Sequence, residues 1–230
     1  DLKAIGEFAH KHQIWFHVDG AHGAPAIFSD KYRHYLSGIE HSDSLICDFH
    51  KMMLTPALST AVLYNRRYKK VNEQTPHADY LWQDELADEW YHSAKHTLEC
   101  SKPLTIIHTY VILRTYGEEI YKQNVDTLYG LGHLFAEKIN QRQSVELALE
   151  PLTNIVCFRY HPKNGNIDAI NQVIADKLLK DGTFYIVNTR VRDQFYLRVT
   201  FMNPLTDAET LDRILDKVEE FGLEVENNQK

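Results

Sequence analysis

Cysteine is scarce and unpaired in this chain of 230 residues: Cys47, Cys100 and Cys157 are odd in number and far apart. That excludes a disulfide framework and a zinc knuckle, which need paired or closely spaced thiols, and it points to a reducing, cytoplasmic setting. No window approaches the roughly 18 apolar residues that span a bilayer, and no charged-then-apolar export leader opens the chain, so a membrane is not an expected partner. The net charge of -7 arises from 25 Lys and Arg against 32 Asp and Glu. These charges are intermixed without a basic stripe, which argues against nucleic acid as a partner. Repeats and low-complexity tracts are also missing. What is present is core-forming material: 43% hydrophobic and 11% aromatic residues suit one large domain or two small ones.

Leu2, Ile5, Phe8 and Ala9 fall at helical spacing, and "IWFHV" (Ile14 to Val18) then reads as a short strand buried on both faces. After the loop "DGAHGAP" come a helix within Asp30 to Leu36, with Ser29 as its cap, and the strand "SLICD" (Ser44 to Asp48). "TAVLY" (Thr60 to Tyr64) is a third strand. This alternation predicts an α/β fold with a doubly wound, mainly parallel sheet. The span from Asn72 to Ser101 is polar and weakly patterned. Two long helices follow, meeting near Gly117, and beyond them strand and helix patterns alternate into a small C-terminal α/β domain. Residues 1–115 are therefore assigned to the large domain and residues 116–230 to the linking helix and small domain. Thr206 with Glu209 predicts a capping box for the last helix.

In an open parallel sheet, ligands bind beyond the carboxyl ends of the strands. Asp19 ends the first strand and Lys51 lies three residues past the end of the second, so right-handed crossover turns both toward one crevice. A pyridoxal phosphate enzyme needs such a pair: an amine to bind the cofactor, and a carboxylate to keep the pyridine nitrogen protonated. Gly20, Ala21 and Gly23 would allow close approach of a flat ring. The bland alternatives are a solvated Lys51, an Asp19 that caps the following helix, and a His50 that is only a core residue. Met52 and Met53 read as packing. His17, Asp19 and His22, with His50 nearby, offer a metal-dependent hydrolase as an alternative, since imidazole and carboxylate suit zinc or iron.

"HVDGAHG", "GIEHSDS", "DFHKMM", "EPLTNIVCFRYHP" and "LRVTFMNP" occur in order along nearly the whole chain. Together they resemble the group II pyridoxal-phosphate-dependent amino-acid decarboxylases, which include the glutamate, cysteine sulfinate, aromatic amino acid and 2,4-diaminobutyrate enzymes. The resemblance implies a fold-type I architecture, pyridoxal 5'-phosphate as cofactor and decarboxylation of an L-amino acid. It implies that Lys51 forms the Schiff base, Asp19 pairs with the pyridine nitrogen, Ala21 packs on the ring and His50 sits near the phosphate. It further implies that Tyr91 is the catalytic-loop tyrosine that returns a proton to the substrate carbon, and that Arg198 receives a substrate carboxylate, a task suited to a planar bidentate donor. "HKMM" leans toward glutamate and cysteine sulfinate, and "HADYL" toward 2,4-diaminobutyrate. An acidic substrate ranks first.

Two departures carry expectations of their own. Asp48 stands where some relatives have a neutral Asn near the phosphate, so it is expected either to face another donor or to mark a different local arrangement. The family's chains are also longer at the N-terminus, and this chain opens on Asp1, so it is expected to be a C-terminal portion of the fold. The complementary N-terminal half, as a separate or cleaved polypeptide, is an expected partner, and the whole is expected to be a homodimer. A non-catalytic subunit or remnant of the same fold remains the third reading.

Overall fold

Asp1 begins the first helix by accepting the Ala4 N–H at 3.0 Å, which satisfies one of the free donors of α1 (Leu2–Lys11). In the computed structural model, which describes residues 1–65, 99 and 101–228, the chain forms two units. The first comprises residues 1–27 and 33–118, the second residues 28–32 and 119–230.

The first unit holds a three-stranded sheet of β1 (His17–Asp19), β2 (Ser44–Asp48) and β3 (Thr60–Tyr64), in that order. β1 runs parallel to β2, with His17 opposite Ser44 and Asp19 opposite Ile46. The entry into β1 fixes that register: Asp43 Oδ2 accepts the Phe16 N–H at 2.6 Å, and Ser44 Oγ accepts the Trp15 indole N–H at 2.9 Å. β3 returns antiparallel to β2 and sets Asp48 opposite Thr60, so β1 and β2 form the parallel pair among the described strands of this unit. The run Ile14 to Val18 is not buried on both faces as its composition predicts. Phe16 is buried while Ile14 and Trp15 stay exposed, because β1 pairs with β2 alone among the described strands. The apolar stripe of α1 also stays partly exposed at Ile5 and Phe8. α1 instead seats its small residues: Gly6 lies so near His41 that a Cβ would come within 2.5 Å of it. Gly38 has φ +97° and would bring a Cβ to 2.3 Å from the Lys3 nitrogen, so both its conformation and its contact require glycine. Gly117 then ends α2 (Ile106–Tyr116).

In the second unit, α3 (Glu119–Asn140), α4 (Ile167–Asp181) and α5 (Ala208–Asn228) accompany a sheet of β4 (Val145–Leu147), β5 (Ile155–Tyr160), β6 (Val187–Val191) and β7 (Gln194–Thr200). The sheet is antiparallel throughout, in the order β4-β5-β7-β6. Strand alternation drives Val156, Phe158, Leu197 and Val199 into the core, where Phe135 of α3 meets the Phe158 ring edge-on at 5.1 Å. Tyr196, Arg198 and Thr200 alternate to the opposite face of β7. The β6–β7 hairpin turns through Arg192 and Asp193, both at positive φ, as a two-residue turn between twisted strands requires. α5 is capped by Asp207, whose Oδ1 accepts the Thr210 N–H at 2.8 Å, rather than by Thr206 as the sequence pattern predicts. Thr206 instead hydrogen-bonds back to Asn203 through its N–H.

A short strap, residues 28–32, lies between the 3₁₀ turns that link β1 to β2 but belongs to this second unit. Ser29 is fully buried; its hydroxyl donates to Asp126 and accepts the N–H groups of Lys31 and Tyr32. Asp30 pairs with Lys122 at 2.8 Å, and the Phe28 and Tyr32 rings pack on Tyr121 and Tyr129.

Candidate active site

The parallel register of β1 and β2 places Asp19 and the Asp48–Lys51 turn at one carboxyl edge of the first sheet. The backbone ties the two strand ends directly, since the Asp48 N–H donates to the Ala21 carbonyl at 3.3 Å. Asp19 is exposed, and its Oδ1 accepts the Ala21 N–H at 3.1 Å, closing the turn that leaves β1. Oδ2 makes no hydrogen bond among the described residues and stays available to a ligand. Gly20 is needed for packing rather than for ring approach: a Cβ there would fall 2.6 Å from Leu45 Cδ1 and 2.8 Å from the Ile46 carbonyl oxygen. Gly23, by contrast, borders open space.

Asp48, the unexpected acid, faces two donors. Its Oδ2 lies 2.7 Å from Lys51 Nζ, and its Oδ1 accepts the Thr60 hydroxyl at 2.6 Å. The Asp48 side chain is 10% exposed and that of Lys51 36% exposed, so the amine reaches solvent from a buried anchor. Burial pushes the Asp48 carboxyl up, but the hydrogen bonds from Lys51 and Thr60 and the charges of Lys51 and His50 outweigh it, and the net shift is downward. His50 is held by Ser59, whose N–H lies 3.2 Å and carbonyl oxygen 2.9 Å from Nδ1. Its other nitrogen, Nε2, faces Asp48 Oδ2 at 3.7 Å. Burial, reinforced by the Asp48 charge, pushes the Cys47 thiol up to about 11, which keeps it neutral and a poor nucleophile. Met52 and Met53 are buried, with Met53 Sδ 3.9 Å from Cys47 Sγ, and act as packing.

In the second unit, Arg198 sits mid-strand on β7, between Cys157 of β5 and Val187 of β6. It is half-buried, and its guanidinium has neither an ion-pair partner nor a hydrogen-bond partner among the described residues. A cavity of about 470 Å³ opens beside it, lined by apolar side chains together with Thr200, Asn203, Thr206 and Thr210. The Thr200 hydroxyl is buried without a partner among the described residues. An unpaired cation beside this hollow suits a small anionic group.

The structure thus brings together Asp19, Ala21, His50 and Lys51 in the first unit and describes Arg198 within the second. Tyr91 lies outside the described residues. The hydrolase alternative has no assembled site: among the described residues no group of three His, Cys, Asp or Glu side chains is arranged to hold a metal, and His17 Nδ1 is engaged with Ser44 Oγ at 2.7 Å. Three polar residues escaped sequence reasoning. Thr200 was detectable as the next residue on the Arg198 face, two positions along the strand. Thr60 becomes visible only through the antiparallel register of β3. Thr55, whose buried hydroxyl also lacks a partner among the described residues, carries no sequence signal at all.

The amine and the free carboxylate oxygen at one sheet edge fit a pyridoxal cofactor, which presents an aldehyde and a ring nitrogen. Comparison with known proteins agrees. Residues 1–161 match the profile of the Pyridoxal-dependent decarboxylase conserved domain. The acidic amino acid decarboxylase GADL1 of Xenopus tropicalis is 26% identical over 235 residues, spanning 96% of this chain and 46% of the relative. The L-2,4-diaminobutyrate decarboxylase of Acinetobacter baumannii is 29% identical over 223 residues, spanning 94% and 43%. Among solved structures, mouse CSAD in apo form superposes with a TM-score of 0.84 at 23% identity, covering 96% of this chain and 48% of that one. The chain spans a little under half the length of the proteins it matches.

Proposed function

Since the chain belongs to the pyridoxal-dependent decarboxylase family, we propose that it contributes the lysine, the ring-nitrogen carboxylate and a substrate arginine to a carboxy-lyase that converts an L-amino acid to an amine and carbon dioxide. The observation that carries this reading is the shared carboxyl edge of β1 and β2, where Asp19 keeps an unbonded oxygen and Lys51 presents its amine. Lys51 would hold the cofactor covalently, Asp19 would keep the proton on its ring nitrogen, and Ala21 and His50 would contact its ring and phosphate. When bound, pyridoxal phosphate supplies the electron sink for the carbanion left by departing carbon dioxide. Arg198 receives a carboxylate of the substrate, and Tyr91 returns a proton to the substrate carbon. The unpaired guanidinium and the name of the GADL1 relative favour an acidic amino acid such as glutamate, with 2,4-diaminobutyrate next. Under this reading the chain works with the complementary half of the family's fold, within a cytoplasmic homodimer.

The test incubates the chain, alone and with any polypeptide that co-purifies, with pyridoxal 5'-phosphate, then adds borohydride and maps the adduct by peptide mass. The expected result is a reduced pyridoxyl group on Lys51, lost in Lys51→Ala, together with carbon dioxide release from glutamate or cysteine sulfinate. An adduct elsewhere, or none in either preparation, refutes the proposal, and a stable unmodified complex would identify a non-catalytic subunit.

A further inference from the structure

We propose that Asp48 is a positioning residue for Lys51: its carboxylate is the fixed counter-charge of the lysine nitrogen, and it keeps that nitrogen protonated after condensation with the cofactor aldehyde. The inference rests on the pyridoxal reading above but concerns a residue to which that reading gives no role.

Both oxygens of Asp48 are committed, Oδ2 to Lys51 Nζ at 2.7 Å and Oδ1 to the Thr60 hydroxyl at 2.6 Å. Asp48 closes β2 opposite Thr60, so its carboxylate is fixed by strand pairing and by a second strand's side chain. It is also largely removed from water, and a buried carboxylate stripped of its cation is strongly unfavourable. Charge conservation does the rest. A lysine ammonium and an aldehyde condense to a protonated imine and one water, so the nitrogen carries one positive charge before and after the new C=N bond forms. That charge keeps Asp48 partnered throughout. Loss of the imine proton would leave the carboxylate with His50 Nε2, 3.7 Å away, as its nearest basic group. Among the described residues, the other titratable groups at these strand ends are the Cys47 thiol on β2, held neutral by burial, Asp19 at the end of β1, and His22, which follows the Ala21 whose carbonyl accepts the Asp48 N–H. The pairing also orients Nζ, because it restricts a flexible four-carbon side chain to one side of the turn.

The experiment has two arms, on the full chain together with whatever polypeptide it co-purifies with. In the unloaded protein, Lys51 is modified with formaldehyde and cyanoborohydride and its rate compared with those of Lys11 and Lys31 by peptide mass. Asp48→Asn raises the relative rate, because it removes the carboxylate that holds Nζ at 2.7 Å. In protein loaded with pyridoxal 5'-phosphate, the visible band is followed against pH. Asp48→Asn and Asp48→Ser, two neutral replacements that guard against a folding defect in either, lower the midpoint of the band shift by about one to three units, the usual effect of removing an adjacent opposite charge. Asp48→Glu retains a midpoint close to that of the wild type. An unchanged midpoint in both neutral variants overturns the proposal, as does an unchanged Lys51 rate. A wild-type chain that never develops a Lys51-linked band fails at the earlier step and refutes the pyridoxal reading itself, which is a distinguishable outcome.

Discussion

Replacing Gly222 with alanine reverses the effect that substitution usually has. In an exposed helix interior, Gly→Ala stabilises by about 1 kcal/mol, because alanine loses less backbone freedom on folding. Gly222 lies inside α5, buried against Tyr160, and a Cβ there would stand 2.6 Å from Cδ2, Cε2 and Cζ of that ring. Carbon atoms in good contact are about 3.5–4.0 Å apart, so three contacts would be short by roughly 1 Å. The ring has no retreat. Tyr160 is 2% exposed, its hydroxyl donates to Glu226 at 2.7 Å, and its backbone is held by Asn171, which accepts its N–H at 2.9 Å and donates to its carbonyl at 2.8 Å. Overpacking of this kind costs about 1–3 kcal/mol, and three simultaneous contacts with a pinned ring belong in the upper part of that range. After the helix gain is subtracted, Gly222→Ala should be less stable by about 1–2 kcal/mol. Urea unfolding followed by circular dichroism should show a lower midpoint with unchanged slope. A cycle with Tyr160→Leu should recover a coupling of about 1 kcal/mol or more, since the smaller side chain vacates the position of the clash. A Gly222→Ala protein as stable as the wild type, or more so, would refute the packing argument.

Two further outcomes concern the candidate site. Arg198→Lys should raise KM for an acidic amino acid by about 10- to 100-fold, the scale of a lost charge-assisted bidentate contact; an equal loss for a substrate analogue lacking the carboxylate would count against the assignment. Asp48 should shape the acid limb of stability. Its folded pKa lies below the unfolded value of about 3.9, so its contribution is fully present above that value and lost as pH falls through the depressed folded one. The stability difference between wild type and Asp48→Asn should therefore shrink in that acid window, and a difference independent of pH there would contradict the pairing with Lys51.

The sheet edge that gathers Asp19 and Lys51 was legible because it needs little: two apolar runs, a crossover between them, and the rule that parallel strands end on one side. The junction of α2 and α3 at Gly117 was legible for a similar local reason. Asp48 was half legible. Electrostatics alone left either a facing donor or a different local arrangement, and that Thr60 would be one of the donors depends on β3 returning antiparallel, which three apolar runs do not encode. The cap of α5 slipped by one residue because Thr206 and Asp207 are both good caps, and the bond from Thr206 back to Asn203 decides between them. The exposed flanks of β1 and α1 were illegible in another sense: their composition announces burial, but burial depends on what lies across from them. Nothing in the text of residues 28–32 marks them as companions of α3, since their contacts are all distant in sequence.

That strap has a practical meaning for anyone dividing the molecule. Because the polypeptide enters the second unit, leaves it, and enters again, scissors placed after Glu118 would not release two whole parts. The C-terminal piece would keep Asp126, Lys122 and Tyr121 but lose the serine, aspartate and phenylalanine that occupy them. Supplying those five residues in trans as a peptide, or grafting them back through a linker, should restore what the cut removes.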